Sequence, residues 1–392
     1  MGPGIIQTRG GILVKRRPRV LHVVSHFALG GAERIALTLS QALQEEFEFS
    51  VFAVRGKIDD GVGQNMMDEL QAMNVPLFEG PRIPMRYGGM LTGAWTLAHA
   101  IKKINPDLVH LHTEVPESSY AVLAALSQHH RQRPVLRTIH NTNFWTFHWR
   151  MGQWCDRQLD AAVCVGVSQG AQREMLRLRG DSGGSPLSPE PAIVLNGVPA
   201  SLRAKQNWQP GKTLRLLFGG RLEYEKGADL IPDILRQTIL PAGYEGHLDL
   251  FGDGDLREDL EDRVTQQIPG WTINLQPPVA DFRERMADYD ILIMPSRFEG
   301  LPLTAAEAAM AGLPVVATQA PGSVEALPPD HPWMAQVGDA KSFANCLNDA
   351  FARIEEWPEI ARSTRSFAEN TFSIDRMAQD YAKLYRNLAV AK

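Results

Sequence analysis

Residues Met294 to Gly312 read MPSRFEGLPLTAAEAAMAG, and this stretch decides how the chain is built. An apolar run, Ile291 to Pro295, leads into a turn at Glu299 and Gly300 and then into an alanine-rich helix. A short buried run, a glycine turn and a helix start, in that order, form the βα unit of a parallel sheet. Pro302 falls where a first helical turn tolerates a residue without an N–H. The unpaired amides of such a start, and the positive end of its dipole, attract an anion. Two carboxylates, Glu299 and Glu307, flank the turn. Facing an anion they would repel it, but as acceptor-only groups they suit the hydroxyls of a ribose and a hexose, so the window describes a place for a sugar diphosphate. Thr304 and Glu307 also spell T-x-x-E, a capping box that only stabilises a helix start. This window alone leaves both readings open.

The same unit recurs along the chain. Apolar runs beginning at Val20 (VLHVVS), Phe49 (FSVFAV), Leu108 (LVHLHT), Val135 (VLRTIH), Ala161 (AAVCVGVS) and Ala192 (AIVLNGV) alternate with amphipathic stretches at 32–44, 90–104 and 169–179. That alternation is the signature of a parallel sheet covered by helices. After a polar stretch from Pro199 to Lys212 the series restarts with LRLLFGG, HLDLFGDG, TINLQPP, DILIMPS and PVVAT. Two Rossmann-like domains fit this better than one large sheet, with residues 1–200 as the first, 201–372 as the second and a helix over 373–392 packing back on the first. Ligands of such sheets bind beyond the carboxyl ends of the strands, so a cleft between two facing domains is the expected site. Gly180 to Pro191 reads as an exposed loop, and the first dozen residues read as a tail.

Composition narrows the class. The 392 residues are 44% hydrophobic and 22% charged, ordinary values for a soluble globular protein. No apolar run is long enough to cross a membrane, the N-terminus lacks the features of a signal peptide, and Ile6 stands where myristoylation requires Ser or Thr. Cys155, Cys164 and Cys346 share no metal-ligand or C-x-x-C spacing, which argues against a disulfide framework and points to a reducing compartment. Residues 1–200 carry 20 Lys and Arg against 17 Asp and Glu, the remainder 20 against 28. The more basic N-terminal half suits an anionic lipid surface or a phosphorylated acceptor, and no nucleic-acid partner is expected.

Three further windows carry chemistry. In SHFALGGAERIAL, Gly30 and Gly31 precede a helix and would let a ligand approach its start. The chain contains neither G-x-G-x-x-G nor G-x-x-x-x-G-K-[ST], which turns the reading away from dinucleotide oxidoreductases and P-loop enzymes. In LFGGRLEYEKGADLI, Arg221 and Lys226 lie in a strand-to-helix loop, where two cations neutralise a diphosphate and the charge of a leaving group. The plain alternative is a pair of surface cations bridged to Glu223 or Glu225. The window His140 to Trp154, HNTNFWTFHWRMGQW, is rich in aromatics and suits an acceptor sugar, a membrane interface or a buried helix.

Taken together, GGAE, GGRLEYEKG, FGDGDL and SRFEGLPLTAAEAAMAGLPVVAT, in this order, resemble the retaining GT-B glycosyltransferases of family 4, whose mark is the E-x7-E spacing of Glu299 and Glu307. The resemblance spans nearly the whole chain. It implies an α/β fold of the GT-B type, two Rossmann-like domains facing each other across a cleft. It further implies that Arg221 and Lys226 contact the donor diphosphate and that Glu307 accepts from the ribose hydroxyls. Glu299 would hold sugar hydroxyls, helped by backbone amides of Gly300, Leu301 and Leu303 around Pro302. Gly30 and Gly31 would lie near the phosphates, and His140 beside the reacting sugar, with His110, His112, His130 and His148 as competitors. Pro199 replaces the acidic residue of the family's N-G-V-D turn at Asn196 and Gly197.

The expected activity is transfer of a hexose, with retention, from a nucleoside-diphosphate sugar to a hydroxyl of an acceptor glycan. The acceptor is expected to be lipid-linked, in envelope polysaccharide or lipopolysaccharide synthesis. No cofactor or metal is expected: there is no strand-flanked D-x-D, Asp253 and Asp255 in FGDGDL read as a turn, and Arg and Lys supply the cationic charge. The expected place is the cytoplasm, with peripheral contact at the cytoplasmic face of the inner membrane. The competing readings are a transferase for a small soluble acceptor, a nucleotide-sugar epimerase of the same fold, and a non-catalytic binding subunit.

Overall fold

The structure is a computed structural model that describes residues 6–9, 12–27, 30–57, 62–84, 87–181, 189–200, 203–265 and 267–390. The chain divides into two compact units, Met1–Gly197 with Ile374–Lys392, and Val198–Ser373.

In the first unit, β1 (Ile6–Arg9) and β2 (Ile12–Lys15) pair antiparallel where the sequence suggests only a tail. The main sheet contains β3 (Arg19–Val24), β4 (Glu48–Ala53), β5 (Leu77–Glu79), β6 (Leu108–His112), β7 (Val135–Ile139), β8 (Val163–Gly166) and β9 (Ala192–Ile193). Its order is β5-β4-β3-β6-β7-β8-β9, and every pairing is parallel. β6 and β7 are buried at every position, as strands covered on both faces must be. The helix Gln169–Asp181 takes up Gly180, and most of the loop read from Gly180 to Pro191 lies outside the described residues.

The second unit repeats the plan with β10 (Thr213–Gly219), β11 (Glu245–Phe251), β12 (Trp271–Gln276), β13 (Ile291–Met294), β14 (Val315–Thr318) and β15 (Met334–Ala335). Its order is β12-β11-β10-β13-β14-β15, again all parallel. Leu216, Phe218, Leu250 and Ile293 from its strands pack with Trp333, Phe343 and Trp357 in one core. Both units therefore have the doubly wound order in which the connections reverse beside the first strand, and the reversal splays the loops at the strand ends apart. β5 and β15, the two main-sheet strands not read from sequence, are 3 and 2 residues long and leave little pattern to read.

The helix Ile374–Val390 buries Met377, Tyr381 and Tyr385 and belongs to the first unit. That unit is tied inside by Arg137, fully buried on β7. Arg137 donates to Glu117 through Nε and Nη2 at 3.1 and 3.0 Å and to Asp156 through Nη1 at 2.8 Å. Glu117 and Asp156 come from the helices Glu114–Leu126 and Trp149–Gln158, so one guanidinium holds two helices to a strand. Removing the cation strands two carboxylates in the core, so Arg137→Leu is expected to cost about 3–5 kcal/mol, read as a lowered urea midpoint. A loss below about 1 kcal/mol would show that the cluster does not tie the layers together.

Candidate functional site

In the second unit the loops after β10 and β13 meet at the point where the strand order reverses. Lys226 ends the short turn Tyr224–Lys226, and its Nζ lies 2.8 and 2.7 Å from Oε1 and Oε2 of Glu299. Ser296 Oγ donates to Glu299 Oε1 at 2.7 Å. Glu299 is only 6% exposed, and a buried carboxylate needs this compensation. Around the pair, the Glu225 carbonyl accepts the Arg297 N–H at 2.7 Å. Arg297 forks onto Asp229 at 2.7 and 2.8 Å and lies 3.8 Å from the Tyr224 ring centroid. Gly227, at φ +67°, passes so close to the Pro295 carbonyl that a Cβ there would collide with it. A side chain at this position would push the two loops apart.

Arg221 is placed as the plain reading has it. Its Nη1 and Nη2 lie 2.6 and 2.8 Å from Glu223 and Glu225, with the side chain 59% exposed. Exposed pairs of this kind contribute about 0–1 kcal/mol, so exchanging a carboxylate for a phosphate costs little. The helix Leu303–Ala311 begins with Pro302 as its N-cap, and no side chain caps it. Thr304 therefore lies inside the helix, two positions past the N-cap, too far along to form the T-x-x-E capping box. The Glu307 carboxylate instead faces Arg283, with Nε 3.8 Å from Oε1; Arg283 stands on the short helix Phe282–Arg285. Gly300, Leu301 and Pro302 are buried and Leu303 half-buried. Gly322, at φ +83°, packs against the Glu299 and Gly300 carbonyls. Asp253 in FGDGDL sits in a turn, where its carbonyl accepts the Leu222 N–H at 2.9 Å.

In the first unit Gly30 is the N-cap of the helix Gly31–Ala42. A Cβ on Gly30 would collide with the Glu33 carboxylate, which folds back over the turn. A negative side chain at that helix start already answers its dipole. The Glu33 carboxylate thus lies at the turn where the sequence reads an anion cradle.

His140 follows β7 and is half-buried. Its Nε2 lies 3.0 Å from His112 Nδ1, and His112 Nε2 lies 2.9 Å from His22 Nδ1. Sheet register explains the set: His22 on β3 pairs with His110 on β6, and His112 follows two residues later on the same face. Burial pushes His22 and His140 down to about 3. His110 and His112 are held well below their usual range, first by burial and then by the neighbouring imidazoles. All four are neutral at pH 7.

His22, His110 and His112 offer ring nitrogens within 4.8 Å of one another, the makings of a metal site. The His110 nitrogens, however, meet the Tyr385 hydroxyl at 2.8 Å and Thr138 Oγ1 at 2.7 Å. His112 is engaged on both sides by His22 and His140, so of the three rings' nitrogens only His22 Nε2 has no hydrogen-bond partner among the described residues.

In the aromatic window, Phe144 and Trp145 are core residues. Trp145 Nε1 donates to Glu117 at 3.3 Å, which selects the buried reading for these two. Sequence reasoning missed Ser296, Arg297, Arg283 and His22. The first two stand in the opening window, where the glutamates drew attention away from them. Arg283 and His22 become legible only with the register and the loop packing.

Comparison with known proteins follows this geometry. Residues 29–186 match the model of Glycosyltransferase Family 4, and residues 213–353 that of Glycosyl transferases group 1. The putative glycosyltransferase EpsF of Bacillus subtilis is 27% identical over 321 residues, covering 76% of this chain and 78% of that protein. The putative teichuronic acid biosynthesis glycosyltransferase TuaC of the same organism is 25% identical over 305 residues, covering 73% and 72%. The structure of Anabaena HepE in complex with UDP and glucose superposes with a TM-score of 0.76 at 19% identity, covering 95% of this chain and 100% of that one. Two doubly wound parallel sheets with these neighbours define the GT-B glycosyltransferase class. Within it, the chain belongs to the glycosyltransferases of family 4, one family model falling on each unit.

The neutral histidines set an acid limit on stability. The unfolded chain binds protons at histidine near pH 6.5, while the folded chain refuses them down to about 3 at His22 and His140. Stability is therefore full above 6.5 and falls as the pH drops below it, by up to about 1.4 kcal/mol per unit for each such group. Urea midpoints between pH 7.5 and 5 should show this slope, and His22→Phe should flatten it.

Proposed function

We propose that this glycosyltransferase moves a hexose, with retention of configuration, from a nucleoside-diphosphate sugar to a hydroxyl of a growing envelope glycan. The observation that carries the reading is the Lys226–Glu299 pair beside the uncapped start of the helix Leu303–Ala311, at the reversal point of the second sheet. Lys226, Arg221 and the helix amides would meet the diphosphate. Glu307, steadied by Arg283, would accept from the ribose hydroxyls, and Glu299 from the sugar. The bond from the anomeric carbon to the diphosphate breaks, the acceptor oxygen bonds to that carbon on the same face, and the departing phosphate oxygen takes the acceptor's proton. Lys226 and Ser296 hold Glu299 too firmly for it to serve readily as a nucleophile, which favours a positioning role.

Two relatives support the donor and pathway: HepE was crystallised with UDP and glucose, and TuaC is named for teichuronic acid biosynthesis. No helix among the described residues is long and apolar enough to cross a membrane. The support for a lipid-linked acceptor lies on the first unit. There Leu91 and Trp95, one turn apart on the helix Gly89–Ile104, are 60% and 65% exposed, Tyr87 just before that helix is 69% exposed, and exposed Lys102 and Lys103 stand in its last turn. Aromatic and basic side chains on one stripe suit an anionic interface.

Calorimetry with UDP, GDP, ADP and dTDP tests the donor site. One nucleotide is expected to bind, with affinity falling at least about tenfold in Lys226→Ala and Glu307→Ala, the scale of a lost charged hydrogen bond. No binding to the wild type, with or without acceptor, would end the reading. For the acceptor face, sedimentation with anionic vesicles should decline in Trp95→Ala and at high salt. Absence of binding at low salt would remove the lipid from the proposal.

A further inference from the structure

We propose that His112, backed at the buried end by His22, is a positioning residue that fixes the tautomer of His140, keeping its proton on Nδ1 so that it meets substrate as a neutral hydrogen-bond donor and not as a base. The links are His22 Nδ1 to His112 Nε2 at 2.9 Å and His112 Nδ1 to His140 Nε2 at 3.0 Å. Each neutral imidazole has one N–H and one lone pair. A link exists only where an N–H faces a lone pair, so the three rings must share one tautomer. Either all three protons sit on Nδ1, or all three sit on Nε2. A mixed set opposes two protons or two lone pairs.

The choice between the two falls at the buried end. His22 Nε2 is buried, and no described residue hydrogen-bonds it; the ring is stacked on Phe49, with centroids 5.3 Å apart. With the protons on Nε2, that position would hold an unpaired N–H in the core, an arrangement folded proteins rarely keep. With the protons on Nδ1, it holds only a lone pair, and both links stand.

At the other end, no described residue hydrogen-bonds His140 Nδ1 in the structure, and its N–H is presented by a half-buried ring at the carboxyl end of β7. A neutral imidazole in this form polarises or anchors an oxygen without carrying charge. The second nitrogen of a histidine is commonly set by the partner of the first; here the setting passes through a second ring to a third. The consequence for catalysis rests on the glycosyltransfer reading: His140 has no lone pair free for the acceptor's proton, which must therefore leave with the diphosphate.

The experiment is long-range proton–nitrogen correlation spectroscopy on the whole protein labelled with nitrogen-15 histidine, near pH 7. Expected are Nδ1-protonated patterns for His22, His112 and His140, the reverse of free histidine in water. In His112→Ala, water filling the gap can donate or accept, and His140 should move to the Nε2-protonated form. His22→Phe shortens the chain without cutting it, so His112 and His140 should keep their protons on Nδ1; this second variant serves if the alanine variant does not fold. An Nε2-protonated or doubly protonated His140 in the wild type, or one unmoved in folded His112→Ala, would overturn the proposal. Neither readout depends on turnover. If the tautomers are as expected but the nucleotide sugar identified by calorimetry leaves the His140 signals unchanged, the substrate role fails while the tautomer assignment stands.

Discussion

The second unit depends on the pairing of Lys226 with Glu299. The two residues are far apart in sequence, and they belong to loops that the strand order sends in different directions from the ends of β10 and β13. A carboxylate this buried would not persist alone, and a lysine near it has few better places for its charge. The pair thus draws together two loops that the topology separates. Arg297, bound to Asp229 and stacked on Tyr224, and the close approach at Gly227 then hold the drawn-in position. The Glu299 carboxylate inherits its fixed position from this bracing, held on both sides by Lys226 and Ser296.

The two units solve the same problem with different chemistry. The second places exposed and half-buried charge at its reversal point, suited to an anion that comes and goes. The first places neutral polar groups at its strand ends, a line of uncharged imidazoles roofed by Tyr381 and Tyr385. Its charged residues are used for construction, as at Arg137, where compensation is complete inside the core.

Much of this was legible in the residues. The long apolar runs such as LVHLHT and VLRTIH became buried strands, because a continuous run of β-branched and apolar residues has few other stable places. The restart at LRLLFGG marked the second sheet. What escaped were relations that depend on register. His22 and His110 look like two unrelated histidines until β3 and β6 are paired, and Arg283 is one arginine among many until its helix is seated near Glu307. Charge pairing was also underdetermined: LEYEK offered Arg221 two carboxylates and a hypothetical phosphate, and the chain without ligand takes the carboxylates. The aromatic window stayed open for a physical reason, since Phe and Trp serve a core and an interface equally well, and the packing of Trp145 on Gly152 and its bond to Glu117 show which use that side chain takes.

The return of the helix Ile374–Val390 to the first unit has a consequence for biosynthesis. The second unit is continuous in the chain, and the roof over the histidines follows it in sequence, so it is made after it. During synthesis the first sheet must wait with its polar interior open while the whole second unit is made and folds. A nascent first unit in that interval has its strands but not its seal, so its polar interior is closed only after the second unit has been made.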